Sequence, residues 1–133
     1  MNGMASGWQV FAVACGGAVG ATARYLVSVR WLGVAEMPAW PWATFFVNVT
    51  GAFLFGLLAV ALASSASMND NLRLALMTGV LGAFTTYSTF SFEMVRMLEL
   101  KAIGLALGYG IGSMAACVAL AALGLMIGRA IFE

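Results

Sequence analysis

The chain has 133 residues, of which 63% are hydrophobic and 8% are charged, with a net charge of +1 and no histidine. A soluble domain carries about 25% charged residues, so this composition excludes an ordinary soluble protein and favours a membrane protein. The small net charge gives no electrostatic case for a nucleic-acid partner, and the lack of histidine removes the commonest general base and transition-metal ligand.

Four segments are long and apolar enough to cross a bilayer, which takes about 20 residues in a helix. They cover residues 8–32, 42–63, 72–98 and 102–128. The joins between them are short and leave no room for a soluble domain. We therefore predict an all-α membrane protein, with four transmembrane helices in a single domain. Cys15 and Cys117 lie inside apolar segments, far apart in sequence, and are expected to be buried free thiols.

The first segment combines two glycines with a charge. Gly16 and Gly20 are four residues apart, a spacing that lets two helix backbones approach closely inside a membrane. Arg24 lies in the second half of the segment, where a charge costs about 2.5–3.5 kcal/mol at the bilayer centre. Its side chain either reaches the headgroups or provides a fixed positive charge at the mouth of an anion path.

The second segment contains no charged residue but has an amide, Asn48, near its start. An amide left unpaired against lipid is unfavourable, because its two N–H groups and its oxygen need partners. Either a neighbouring helix satisfies Asn48, or its N–H groups point into a polar path that suits an anion.

The third segment contains the unusual stretch TGVLGAFTTYSTFSFE (78–93), which holds two glycines, six serine or threonine hydroxyls and four aromatic rings. Gly79 and Gly82, followed by Thr85 and Thr86, weaken the helix, so we predict a break in the middle of this span. Irregular backbone at membrane depth persists only where protein or a polar cavity covers it. Broken spans expose carbonyl groups, which transporters use to bind cations.

Aromatic rings and hydroxyls alternate after the predicted break. Tyr87 and Phe90 are three residues apart and therefore share a helix face, with Ser88 and Thr89 beside them. Aromatic rings are positive at their edges, so ring edges and hydroxyls together would form a weak anion-binding track, although plain packing is the usual role of such rings. Glu93 either begins the exit of this span or pairs with a cation inside the bundle.

The fourth segment and the loop charges both point to association. Glycines recur four residues apart at Gly104, Gly108 and Gly112, and again at Gly124 and Gly128, which predicts a tight bundle or a dimer. With both termini on one side, that side carries Arg73 and Arg129, and the other carries Arg30, Arg96 and Lys101. Such a weak bias predicts insertion in both orientations, which would allow an antiparallel homodimer.

Three stretches resemble the Fluc family of fluoride channels, also called CrcB proteins. They are GGAVGATARY (16–25), FVNVTG (46–51) and GAFTTYSTFSFE (82–93), and the resemblance extends over all four segments, including the pair Gly112–Ser113. It implies a dual-topology antiparallel homodimer in the lipid bilayer, with two pores and a structural sodium ion (Na+) at its centre.

The resemblance also implies roles for individual residues. The family's arginine, asparagine and two aromatic positions match Arg24, Asn48, Tyr87 and Phe90. The sodium ligands would be the backbone carbonyls of Gly82 and Thr85. The polar track would comprise Ser88, Thr89, Tyr109 and Ser113. One departure is Tyr87, because the family usually has phenylalanine there.

The predicted function is therefore a passive fluoride channel of the inner (plasma) membrane that exports cytoplasmic fluoride ion and reduces its toxicity. The alternative is a small dual-topology, proton-coupled exporter of the multidrug type, for which Glu93 is the candidate carboxylate. A structural subunit of a larger complex is a further alternative. An enzyme is not expected, because the sequence has no nucleophile–base pair and no paired carboxylates within its spans.

Overall fold

The computed structural model describes residues 6–31, 37–65 and 69–133, and the regular structure in these residues is entirely helical. The two helices of the first half are α1 (Gly7–Trp31) and α2 (Trp42–Ser64). The second half contains α3 (Asp70–Leu74), a π-helical segment (Ala75–Leu81), α4 (Gly82–Phe84), α5 (Tyr87–Glu99) and α6 (Ile103–Phe132).

Three of these helices, α1, α2 and α6, are long and apolar enough to cross a membrane, in keeping with the predicted all-α membrane protein. The predicted third segment is divided instead into a stretch over residues 70–84 and helix α5. Thr85 and Thr86 separate the two pieces and have extended backbones, with ψ of 157° at Thr85 and φ of −148° at Thr86. The interruption expected from the glycines and threonines therefore lies at these two residues.

Helices α2 and α6 form the closest pair in the structure because small residues lie where they cross. A Cβ atom at Gly56 would collide with the Ala121 carbonyl oxygen, and one at Gly124 would collide with the Phe53 carbonyl oxygen. A Cβ at Gly128 would lie 2.9 Å from Val60 Cβ and 3.2 Å from the Leu57 carbonyl oxygen, both on α2. Such backbone contact is the usual basis of helix association in lipid. Gly104 and Gly108 differ, since a Cβ there would have no atom within 4 Å in the described protomer.

Helix α1 packs against the π-helical segment through its glycine face. A Cβ at Gly16 would collide with the Ala75 carbonyl oxygen, and one at Gly20 would collide with the Val80 carbonyl oxygen. The predicted packing role of this glycine pair is confirmed. Cys15 lies on another side of α1 and is exposed in the protomer, and Cys117 is only partly buried, so the expectation of two buried thiols was wrong. Both cysteines are free, as expected.

The small interior of the protomer lies between α5, α6 and the start of α2. Met97, Ala106 and Tyr109 are almost completely buried there, with Trp40 and Phe90 packed against them. Most other apolar side chains are exposed in the protomer, as expected for helices whose outer faces meet lipid or another copy of the chain. The interior fixes α5 against α6 and so positions the residues that follow the helix break.

Candidate functional site

The helix break is held by a side chain from α2. Asn48 Nδ2 donates to the Thr86 carbonyl oxygen at 2.9 Å, and the Thr86 N–H donates to Asn48 Oδ1 at 2.7 Å. The amide thus pairs with both backbone groups of Thr86, as a neighbouring peptide would. Of the two roles considered for Asn48, partnership with a neighbouring segment is present, and it uses one of the two N–H groups of the amide.

The break also frees two backbone carbonyls from helical hydrogen bonds. In a continuous helix the Thr86 N–H would donate to the Gly82 carbonyl, but here it donates to Asn48. The Thr89 N–H would donate to the Thr85 carbonyl, but here it donates to Thr86 Oγ1 at 3.2 Å. The N–H groups that would bind the Gly82 and Thr85 carbonyls in a continuous helix therefore donate to side chains instead. The two carbonyls are left without their helical partners.

Thr86 was expected only to weaken the helix, and the sequence interpretation missed its hydrogen bonds at the break. Its hydroxyl caps the start of α5 by accepting the Thr89 N–H, and it donates to Thr89 Oγ1 at 2.9 Å. Its oxygen lies 3.4 Å from Ser88 Oγ. A threonine just before an amphipathic stretch is a common helix N-cap, so a capping signal was available in the sequence.

A cavity of about 650 Å³ lies beside the break, between α2, α5 and α6. Five of the predicted site residues line it: Asn48, Thr85, Tyr87, Phe90 and Ser113. The remaining lining is mostly apolar. Ser113 is only 4% exposed, and its hydroxyl oxygen has no hydrogen-bond partner among the described residues. The cavity therefore offers an amide and an unpaired hydroxyl in an apolar surround.

Two aromatic rings contact each other at the edge of this cavity. The ring centroids of Tyr87 and Phe90 are 5.7 Å apart and their planes are inclined by 37°. On its other side, Phe90 packs against the Tyr109 ring, with centroids 5.0 Å apart. Tyr87 is 81% exposed in the protomer, so its ring is covered only if something else meets this surface.

Tyr109 and Glu93 belong to a different polar group. Glu93 Oε2 accepts from the Tyr109 hydroxyl at 2.8 Å, and Glu93 Oε1 accepts from the Thr44 hydroxyl at 2.7 Å. Tyr109 is fully buried and does not line the cavity described above. The structure therefore assigns Tyr109 as a hydrogen-bond partner of Glu93, and no cation lies within salt-bridge distance of Glu93 in the described residues.

A second cavity, of about 320 Å³, lies near the end of α1 and the start of α2. Glu93, Thr44 and Thr89 line it, together with Ser28 and several tryptophan rings. The structure thus separates the predicted residues into two groups, with Thr89 and Glu93 facing a different space from Asn48 and Ser113.

Four predicted residues line neither of these cavities: Arg24, Gly82, Ser88 and Tyr109. Ser88 lies at the first turn of α5, near Thr86. Arg24 is half-buried on α1, and its Nε atom is buried without a hydrogen-bond partner among residues 6–31, 37–65 and 69–133. The only ion pair in that part of the chain joins Arg96 and Glu99 on the surface, so no carboxylate neutralises Arg24 there.

Comparison with known proteins identifies relatives along nearly the whole chain. The family model described as "CrcB-like protein, Camphor Resistance (CrcB)" matches residues 11–125. A protein of Phenylobacterium zucineum named "Fluoride-specific ion channel FluC" is 46% identical over 124 residues, covering 90% of this chain and 94% of the relative.

Proteins with the same name occur in two further organisms. The one from Agrobacterium fabrum is 43% identical over 120 residues, covering 90% of this chain and 95% of its own length. The one from Caulobacter vibrioides is 43% identical over 125 residues, covering 93% of this chain and 98% of its own length.

Proposed function

The chain belongs to the CrcB-like family, and from this membership we propose that it is a passive, fluoride-selective channel of the plasma membrane. The relatives that support this activity match at least 90% of the chain. The structural observation that carries the proposal is the cavity beside the helix break, where an amide, a hydroxyl and two aromatic rings meet in one apolar space.

Each of these groups has a means of binding a small anion. Asn48 uses one N–H on Thr86, so its second N–H remains for an ion in the cavity. The unpaired Ser113 hydroxyl is a second donor. The Phe90 and Tyr87 rings line the cavity, and an aromatic ring carries partial positive charge at its edge. Fluoride holds its water tightly, so a narrow path must replace that water with donors at short intervals.

The direction of transport follows from the membrane potential. Hydrogen fluoride crosses membranes as a neutral molecule and dissociates in the cytoplasm. A potential of about 100 mV, negative inside, then favours exit of the anion by about 2.3 kcal/mol, or roughly fifty-fold in concentration. A passive channel is therefore sufficient to lower cytoplasmic fluoride.

The second cavity and Arg24 fit the approach to this path. Thr89 and Glu93 line a space at the end of the molecule where α1 finishes and α2 begins, and we assign it to a vestibule. Arg24, on the neighbouring helix, provides a positive charge that no carboxylate of the described residues neutralises, and this charge would favour entry of an anion. Ser88 and Tyr109 then support the path, through Thr86 and through Phe90 respectively.

A sodium ion at the break is compatible with the residues present. The carbonyls of Gly82 and Thr85 would bind it, because side chains have taken their helical N–H partners. Unwound carbonyls are the groups that bind sodium in transporters. The ion would supply a positive charge that holds these carbonyl dipoles in place.

An antiparallel homodimer would complete the cavity wall. The face of α6 that borders the cavity carries Leu107, Ile111, Met114 and Val118, each more than half exposed in the protomer. Gly104 and Gly108 lie on the same helix with open space beside them. The nearly balanced loop charges would allow both orientations in one membrane.

The matched relatives do not support the proton-coupled exporter that was the alternative. Such an exporter needs a carboxylate free to exchange protons and substrate, and both oxygens of Glu93 already accept hydrogen bonds. The family is one of ion channels, which is also consistent with the expectation that the protein is not an enzyme.

The direct test is fluoride efflux from liposomes that contain the purified protein, measured with a fluoride electrode. We expect fluoride efflux that needs no proton gradient or nucleotide. Liposomes loaded with chloride should show no comparable efflux of chloride, measured with a chloride electrode. Efflux that stops when the proton gradient is abolished would favour the exporter. Efflux no faster than from protein-free liposomes would contradict the proposed function.

A further inference from the structure

Three sulfur side chains line the cavity beside the helix break, and the proposed anion path uses none of them. They are Met94, Met114 and Cys117. A thioether has no proton to donate to an anion, and a thiol is a weak donor. Sulfur atoms are soft ligands that select metals such as Cu(I), whereas hard cations prefer oxygen. The lining therefore contains a second type of binding chemistry.

Two of the sulfur side chains lie on α6, and the third, from α5, packs against the same surface of α6. Met114 and Cys117 are three residues apart, so their side chains are neighbours on the helix. The Met94 side chain packs over Gly110, one turn before Met114: a Cβ at Gly110 would lie 2.8 Å from Met94 Cε and 3.2 Å from its Sδ. All three side chains thus border one stretch of the cavity wall.

Ser113 indicates that a polar ligand or water enters this part of the cavity. It lies four residues before Cys117, on the same side of α6. Ser113 is only 4% exposed, and its hydroxyl has no hydrogen-bond partner among the described residues. A buried hydroxyl without a partner is unfavourable unless a ligand or water satisfies it.

We propose that Cys117 and Met114 bind a soft, thiophilic metal ion of the Ag+ or Cu+ class in this cavity, with Met94 as a third sulfur within the same wall. On binding, the S–H bond of Cys117 breaks, an S–metal bond forms and the proton passes to water; no electron is transferred. The metal then occupies the space through which the anion would pass. Block of transport rests on the proposed function, whereas binding of the metal does not.

Cys15 offers a matched control, because it is the other free cysteine and lies outside the cavity. The test compares Cys15→Ser with the double variants Cys15→Ser/Cys117→Ser and Cys15→Ser/Met114→Leu, each checked by gel filtration and thermal unfolding. Silver nitrate in chloride-free buffer is the probe, and retained silver is measured by elemental analysis after desalting.

We expect Cys15→Ser to retain about one Ag+ per chain, as a site with two sulfur ligands predicts. The Cys117 double variant should retain none, and Met114→Leu should weaken binding by about tenfold, or about 1.4 kcal/mol. Equal silver retention by Cys15→Ser and its Cys117 double variant would overturn the site. Unchanged affinity in the Met114 variant would overturn the two-sulfur arrangement.

Fluoride efflux provides the second measurement. Ag+ should inhibit efflux through Cys15→Ser, relative to its own rate without silver, and should not inhibit the Cys117 double variant. Inhibition that persists in the double variant would contradict a block at Cys117. Absence of fluoride efflux in every variant would refute the proposed channel function, while silver retention would still decide whether the metal site exists.

Discussion

Replacing Asn48 by aspartate tests the pairing between α2 and the helix break. Asparagine donates to the Thr86 carbonyl and accepts from the Thr86 N–H. An ionised aspartate retains only the second bond and places a negative oxygen opposite the carbonyl. Leaving that carbonyl unpaired costs about 1–3 kcal/mol, and a carboxylate in a span costs up to about 2.5–3.5 kcal/mol more, the value at the bilayer centre. The total is comparable with the lower end of protein stability, about 5 kcal/mol.

Protonation of the introduced aspartate removes its negative charge and restores a hydrogen bond to the Thr86 carbonyl. Both free-energy costs should therefore fall as the pH is lowered. A neutral aspartic acid donates through its O–H and accepts through its C=O, as asparagine does. We therefore expect Asn48→Asp to lose stability and fluoride efflux at neutral pH. Protonation of the introduced carboxyl at acidic pH should restore stability but only part of the efflux, because its single O–H pairs with the Thr86 carbonyl and leaves no second donor for the ion. Asn48→Leu has similar bulk but cannot pair with Thr86, so it should stay inactive at every pH.

The assay is fluoride efflux from liposomes over a range of pH, with protein-free liposomes at each pH to correct for leakage of hydrogen fluoride. Gel filtration shows whether each variant still assembles. Full efflux by Asn48→Leu would refute the reasoning, because it would show that neither the pairing nor the amide donors are needed. Full efflux by Asn48→Asp at neutral pH would show that a negative charge there does not repel the anion.

Four further predictions concern the rings, the glycine face, the sodium ion and the topology. Phe90→Ile and Tyr87→Ile should stop fluoride efflux with little loss of assembly because they remove the ring quadrupole, whereas Tyr87→Phe keeps the ring and should conduct. Equal efflux rates in all three variants would show that the rings serve only in packing. Gly16→Ala should destabilise the protein by about 1–3 kcal/mol, because the added methyl group overpacks against the π-helical segment, whereas Gly17→Ala has open space beside its Cβ and should not. Thermal unfolding in detergent compares the two variants, and similar stability would contradict the packing interpretation. Efflux or thermal stability should depend on sodium rather than lithium or potassium, and indifference to the cation would count against a site at the break. Reporters fused at Glu133 should give both cytoplasmic and external signals, and a single orientation would remove the antiparallel dimer.

Much of the architecture is determined by local sequence. Apolar length alone predicts α1, α2 and α6, because the bilayer requires about 20 apolar residues in a helix whatever the neighbouring segments do. The glycine pair Gly16 and Gly20 likewise predicts a packed face, since small residues are what allow helices to meet in lipid. The weak helix formers before Tyr87 indicate the interruption. Each of these features depends on residues close together in the chain.

The hydrogen-bond partners could be decided only by the tertiary structure. The sequence shows that the Asn48 amide and the Glu93 carboxylate need partners, but many hydroxyl and backbone groups could satisfy them. Packing selects Thr86 for Asn48, 38 residues away, and Thr44 for Glu93, 49 residues away. The same packing places Thr89 in a different cavity from Ser113, although both were expected on one track. The spacing of residues along a helix determines which side chains share a face. The packing of α5 against α6 determines which cavity that face lines.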